Sequence, residues 1–151
     1  MKYFNLLFFA IIFSFTPLQD EFVIFQAEET EVKKSQEEYR ISLPFKIIDG
    51  YYIQAETDVP ENIISTQVSF KENDFYQITH HAFSSEGEQT IYLDTTAHNV
   101  LSGRFEIVVF LKLKDKALNR TKKLRGEVLY QACNTRQCFY PRNLSFEIEF
   151  I

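Results

Sequence analysis

The chain contains two cysteines, Cys133 and Cys138, and four residues separate them. Two thiols can form and open a disulfide by exchange with another thiol pair, and this chemistry carries two electrons. A disulfide closing so short a loop would stabilise the folded chain by only about 2 kcal/mol. Reversible opening of such a bond is therefore compatible with a stable fold.

Alternating hydrophobic residues on both sides of the cysteines predict the two strands that position them. Leu124, Val128 and Tyr130 alternate with polar side chains before the pair. The same alternation returns between Leu144 and Phe150. A period of two residues is typical of strands with one buried face. Two strands joined by a short connection would bring the cysteines to one tip of a sheet.

The rest of the chain carries further strand patterns at short intervals. Residues 39–47 alternate, and Pro44 favours an edge or bulged position there because it lacks an amide donor. Asp49-Gly50 predicts a tight turn before a strand over residues 51–56. Further strands are predicted over residues 65–70, 75–79, 89–93 and 104–114, the last of them central, with loops over 80–88 and 94–103. This spacing predicts an all-β antiparallel sandwich.

Composition indicates one folded domain and excludes some classes of partner. With 45% hydrophobic residues among 151, the chain can bury a sizeable core. Its 16 Phe and 8 Tyr suit strands packed face to face. The net charge of −5 favours neither nucleic acid nor an anionic membrane surface.

The amino-terminal residues resemble an export signal. Residues 1–20 contain Lys2 and an apolar run over residues 6–13 that is too short to span a bilayer comfortably. We expect a signal peptide, with an uncleaved membrane anchor as the alternative. Residues 21–38 are predicted to be a charged connector or a short solvated helix before a domain over residues 39–151. Export would place the cysteines where disulfides persist.

A family resemblance lies around the cysteines. Tyr130-Gln131-Ala132-Cys133, followed by Cys138 and Pro141, resembles the signature of the amino-terminal periplasmic domain of DsbD-type thiol:disulfide interchange proteins. Residues 49–53 and 61–64 resemble that family too, so the likeness spans residues 39–150. It implies an immunoglobulin-like antiparallel β-sandwich that passes electrons through one cysteine pair.

The resemblance also implies a mechanism and partners. Cys138 would form the bond to a partner, and Cys133 would resolve it. The chain would be a monomeric component of a protein-disulfide reductase in the periplasm, between a membrane thiol-disulfide electron carrier and periplasmic thioredoxin-like proteins. No cofactor is expected, since the electrons reside on sulfur.

Side chains near the pair are expected to shield it or to bind partners. In the family, aromatic residues flank the cysteines, and this carries over to Tyr52, whereas Gln54 occupies the neighbouring aromatic position. Arg136 is the fixed positive charge next to the pair, and no helix amino terminus is predicted there to activate a thiol. We therefore expect reaction mainly when a partner docks. The full set of expected shielding or partner-binding residues is Tyr52, Phe83, Gln131, Phe139 and Tyr140.

Two other interpretations remain open from the residues. The cysteines can form a permanent disulfide in a secreted binding or assembly module without catalytic function. His80, His81 and His98 could in principle join the thiolates in a metal site. The Cys-x4-Cys spacing is poor for zinc, and we assign no metal ligand.

Overall fold

The computed structural model describes residues 21–35, 38–93, 95–114 and 120–151, and the predicted signal peptide lies outside them. One 3-10 turn, Ala27–Glu29, separates the first two strands. No helix in these ranges is long and apolar enough to cross a membrane. The strands are β1 (Val23–Phe25), β2 (Glu31–Ser35), β3 (Glu38–Ile47), β4 (Tyr52–Gln54), β5 (Gln67–Phe70), β6 (Tyr76–Ser85), β7 (Glu88–Leu93), β8 (Thr96–Leu101), β9 (Arg104–Leu113), β10 (Lys122–Tyr130), β11 (Ala132–Cys133) and β12 (Arg142–Phe150).

The strands form an immunoglobulin-like antiparallel β-sandwich, as predicted. One layer has the order β1-β3-β9-β6, with β2 also paired to β3. The sheets β12-β10-β5 and β11-β4-β8-β7 complete the fold. Aromatic rings join the first layer to β12, with centroids 5.9 Å apart for Phe45 and Phe146 and 5.6 Å apart for Tyr39 and Phe150. Ring pairs at these distances stabilise the core beyond the area they bury.

The strand over residues 104–114 is central, as the sequence predicted. β9 pairs with β3 on one side and β6 on the other. Phe105, Ile107, Val109 and Leu111 are all buried on one face. The strand over residues 39–47 is also confirmed, but it is not an edge.

Pro44 lies inside the sheet for a local reason. β3 is bonded to β9 along its length, and Pro44 is opposite Glu106. The Pro44 carbonyl accepts a 2.9 Å hydrogen bond from the Gln26 amide, just after β1 ends. In an antiparallel strand the amide and carbonyl of one residue point the same way. The missing donor of Pro44 therefore faces the interruption between β1 and β2.

Both loops predicted over residues 80–88 and 94–103 are largely strand. β6 runs on to Ser85, and a register shift between Ile78 and His80 keeps it paired with β9. Its polar side chains are mostly exposed, which conceals the backbone pairing in the sequence pattern. Residues 96–101 form β8 between β4 and β7, with His98 buried.

Of the segment predicted to be a connector, the described residues 21–35 and 38 are part of the fold. β1 and β2 both pair with β3, although every side chain of β2 is exposed. Phe22 and Val23 are buried. Burial raises the pKa of Tyr130, and hydrogen bonds to the backbone of Phe22 and Val23 oppose this rise. The core therefore begins before residue 39.

Gly126→Ala should destabilise the sandwich by about 1–3 kcal/mol because the site has no room for a methyl group. Gly126 lies between Phe70 and Phe146, and an added Cβ would be 2.5 Å from both the Ser69 carbonyl oxygen and the Phe146 ring. Urea unfolding measures the change. Ser145→Ala, at an exposed position of β12, is the control and should stay within about 0.5 kcal/mol of the parent. Equal midpoints for Gly126→Ala and the parent would contradict this packing.

Candidate functional site

Cys133 and Cys138 form a disulfide with an S–S distance of 2.02 Å. Their Cα atoms are 4.0 Å apart, and their backbones form an isolated antiparallel bridge. The two residues differ in accessibility: Cys133 is fully buried, whereas Cys138 is exposed. A molecule approaching from solvent therefore meets Cys138 first.

The loop between the cysteines has its own hydrogen bonds. The Asn134 side-chain oxygen accepts from the amides of Arg136 and Gln137, at 2.8 and 3.0 Å. The Asn134 amide donates to the Gln137 carbonyl, at 2.9 Å. Asn side chains often fix turns in this way. The turn therefore has support besides the disulfide.

Cys133 lies on the side of its sheet that faces away from the main core. In the register it is opposite Tyr52, and Gln54 is opposite Val100. Opposite residues, and residues two apart on a strand, share one face of a sheet. The other face joins the core through Ile53, Ala132 and Leu101. The buried sulfur is thus next to polar strand residues rather than the main core.

Gln54 is the nearest polar neighbour of the buried cysteine, and sequence reasoning treated it only as a missing aromatic residue. Its side chain is fully buried, and its Nε2 donates to Cys133 Sγ at 3.5 Å. The Thr66 hydroxyl donates to the Gln54 carbonyl at 2.5 Å. Gln54 Oε1 is buried without a hydrogen-bond partner among the described residues. The sequence signal that could have identified Gln54 as a site residue was its position, as a polar residue, on the same strand face as Tyr52.

Tyr52 and Gln131 are brought to the cysteine loop. The Tyr52 hydroxyl donates to the Asn134 carbonyl at 3.4 Å, and burial raises the pKa of Tyr52. The phenol therefore remains a neutral donor at neutral pH. Gln131 donates to the Phe139 carbonyl at 3.0 Å and accepts from the Ile64 amide at 2.9 Å. Both residues support the loop through hydrogen bonds.

Phe139 packs at the base of the loop. Its ring centroid is 4.6 Å from that of Phe22 and 5.9 Å from that of Tyr51. The guanidinium of Arg142 lies 4.6 Å from the Phe22 ring centroid. Because Phe22 packs on Phe139, Arg142 adds a fixed positive charge near the base of the loop, in addition to Arg136 on the loop itself. Sequence reasoning missed Phe22 and Tyr51 because their partners are distant along the chain.

Tyr140 and Phe83 occupy different surroundings. Tyr140 is 90% exposed two residues after Cys138, and its ring is available to a partner. Phe83 lies in β6 opposite Ile107, and its ring stacks on Phe105 at 6.4 Å. Phe83 and Phe105 lie on neighbouring strands of the first sheet, so these contacts are made within that sheet. They give no support to the expected role of Phe83 in shielding the cysteines or binding a partner.

The histidines are spread over separate strands. His80 and His81 are adjacent in β6, where His80 stacks on Phe110 at 4.1 Å, while His98 is buried in β8. Within the described ranges, no group of three or more His, Cys, Asp or Glu residues is arranged to hold a metal ion.

Comparisons with known proteins relate the chain to others at the level of fold. No protein-family model matches the sequence, and no curated protein matches it. The structure is similar to the N-terminal periplasmic domain of ScsB from Proteus mirabilis, with a TM-score of 0.55 and 11% identity. That match covers 79% of this chain, which spans 44% of the ScsB chain. At this identity the similarity shows a shared fold alone.

Two further solved structures match with lower TM-scores. The Neisseria meningitidis DsbD N-terminal domain in its reduced form has a TM-score of 0.44 and 17% identity, covering 80% of this chain and 83% of that one. The GAE domain of yeast GGA1 has a TM-score of 0.46 and 11% identity, covering 88% of this chain and 94% of that one.

Proposed function

We propose that this protein is a thiol-disulfide interchange domain that relays two electrons through Cys133 and Cys138. The observation that carries the proposal is the unequal burial of the two bonded cysteines at one end of a β-sandwich. Exchange requires one sulfur that an incoming thiolate can reach and a second sulfur that leaves. The exposed Cys138 and the buried Cys133 meet these two requirements.

The exchange proceeds in two displacements with a dithiol partner. A partner thiolate attacks Cys138 Sγ, the bond to Cys133 Sγ breaks, and Cys133 leaves as a thiolate that takes up a proton. The second partner thiolate then attacks the partner sulfur of the mixed disulfide and releases Cys138 as a thiolate, which takes up the second proton. The partner ends as a disulfide and this protein as a dithiol, so two electrons and two protons have moved. With a client disulfide the steps reverse: Cys138 attacks and Cys133 resolves.

The site favours reaction inside a docked complex. Burial disfavours the thiolate of Cys133, which slows its departure in the free protein. The nearby fixed positive charges, Arg136 and Arg142, are on the loop and at the start of β12. The exposed ring of Tyr140, close to Cys138, offers a partner an aromatic contact. Recognition would thus depend on the surface around Cys138.

The partners we propose are a membrane thiol-disulfide electron carrier and thioredoxin-like proteins, all in the periplasm. In this role the protein acts as a monomeric component of a protein-disulfide reductase, with no cofactor. Residues 1–20 would direct export, either as a cleaved signal peptide or as a retained anchor. The N-terminal strands belong to the folded domain in this proposal.

The reduction potential of the cysteine pair tests the proposal. A relay disulfide should have a potential above about −300 mV, because periplasmic dithiols must be able to open it. Equilibration in dithiothreitol redox buffers, followed by alkylation and mass measurement, gives the value. A pair that remains oxidised in buffers below about −300 mV would instead indicate a structural disulfide in a non-catalytic binding or assembly module.

Single-cysteine variants should differ sharply in reactivity because only Cys138 is exposed. Cys133→Ser, which leaves Cys138, should react with the aromatic disulfide dithionitrobenzoate at least about tenfold faster than Cys138→Ser. Stopped-flow absorbance of the released thionitrobenzoate measures both rates. Circular dichroism of the two variants, which should match, is the control for folding. Equal rates would contradict the assigned roles, and faster reaction of Cys133 would reverse them.

A further inference from the structure

We infer that Gln54 is a positioning residue that shifts the cysteine pair toward its reduced form by hydrogen bonding to the sulfur of Cys133. This inference deepens the proposed function and rests on it, because it concerns the opening of the same disulfide. Gln54 is fully buried, and its Nε2 is 3.5 Å from Cys133 Sγ.

In the disulfide form, the amide of Gln54 is only partly satisfied. A disulfide sulfur has no hydrogen to donate, so it can only accept a weak hydrogen bond, which fixes Nε2 toward it. Gln54 Oε1 then points elsewhere and is buried without a partner among the described residues. A buried acceptor without a partner carries a desolvation cost that a solvated one does not. This cost falls on the oxidised state.

Reduction changes what the sulfur of Cys133 can offer. As the Cys133–Cys138 bond breaks, Cys133 leaves as a thiolate, which is a much stronger acceptor for Gln54 Nε2 than a disulfide sulfur. When the thiolate takes up its proton, the thiol becomes a donor. Rotation of the Gln54 amide then brings Oε1 to accept from the S–H group. The thiolate is therefore a better acceptor for the Gln54 amide than the disulfide sulfur, and the thiol offers a donor that the disulfide lacks, although the rotated amide no longer donates Nε2 to the sulfur.

The strand holds Gln54 where this exchange of partners can occur. Gln54 is opposite Val100 in β8, and the Thr66 hydroxyl binds its carbonyl at 2.5 Å. Thr66 is itself fully buried. Tyr52 lies on the same strand face as Gln54, but its hydroxyl donates a hydrogen bond to the Asn134 carbonyl. The side-chain amide of Gln54 is therefore the group placed to respond to the state of Cys133.

Gln54→Met tests the inference, because methionine keeps a similar volume and removes the amide. The equilibrium constant for reduction by dithiothreitol should fall about tenfold, which is a potential about 30 mV more negative. Gln77→Met is the matched control, since Gln77 is exposed on β6 and should leave the potential unchanged. A Gln54→Met potential equal to or above that of the parent protein would overturn the inference.

A spectroscopic measurement keeps the inference testable if Gln54→Met does not fold. In Cys138→Ser the remaining thiol is Cys133, and its S–H stretching band in Raman spectra reports hydrogen bonding. The band should lie below that of an alkanethiol in hydrocarbon solvent. A band at the hydrocarbon position would overturn the inference. If instead the parent disulfide resists reduction in every buffer, the proposed function fails, whatever Gln54 does.

Discussion

The pairing of β11 with β4 is the constraint on which the site depends. β11 is two residues long, and its pairing places Cys133 opposite Tyr52 on the side of the sheet away from the main core. The chain then turns at Asn134 and brings Cys138 back to bond with Cys133. One cysteine is therefore held as part of a sheet, while the other lies on a solvent-facing turn. Unequal access to the two sulfurs follows directly from this geometry.

The aromatic core supplies the rigidity behind that short strand. β10 and β12 pair over their full lengths, so the connection between them begins and ends at fixed points. The Phe146 and Phe150 rings of β12 pack against β1 and β3. At the cysteine end, Phe22 contacts both Tyr51 and Phe139. The N-terminal segment thus reaches from the first sheet to the base of the cysteine loop.

The sequence was informative wherever one face of a strand is apolar. β3, β9, β10 and β12 alternate clearly, and the hairpin position of the cysteines followed from the last two. It was uninformative for β2 and for the second half of β6, because their exposed polar side chains hide backbone pairing that only the folded partner strand supplies. Pro44 led to the wrong prediction of an edge or bulged position for β3. Its missing amide donor faces the interruption between β1 and β2, and this interruption cannot be seen from the residues around Pro44.

Individual site residues were harder to predict than strands. Tyr52 and Gln131 could be placed near the cysteines from local spacing and resemblance, whereas Phe83 was assigned from the family resemblance and packs on Phe105. In the sequence, Gln54 was identified only as a residue that occupies an aromatic position of the resembling family. Its contact with Cys133 depends on register between strands that are 79 residues apart, which no local pattern encodes.

The central claim is that exchange occurs at one particular sulfur. Reaction of the disulfide form with the thiol of a thioredoxin-like domain that carries a single cysteine, quenched by acid and alkylation and followed by peptide mapping in a mass spectrometer, locates the mixed disulfide directly. The account predicts that the intermolecular bond is at Cys138, with Cys133 recovered as a free thiol. A bond at Cys133, or no adduct while the thiol of the domain reacts with a small disulfide, would contradict it.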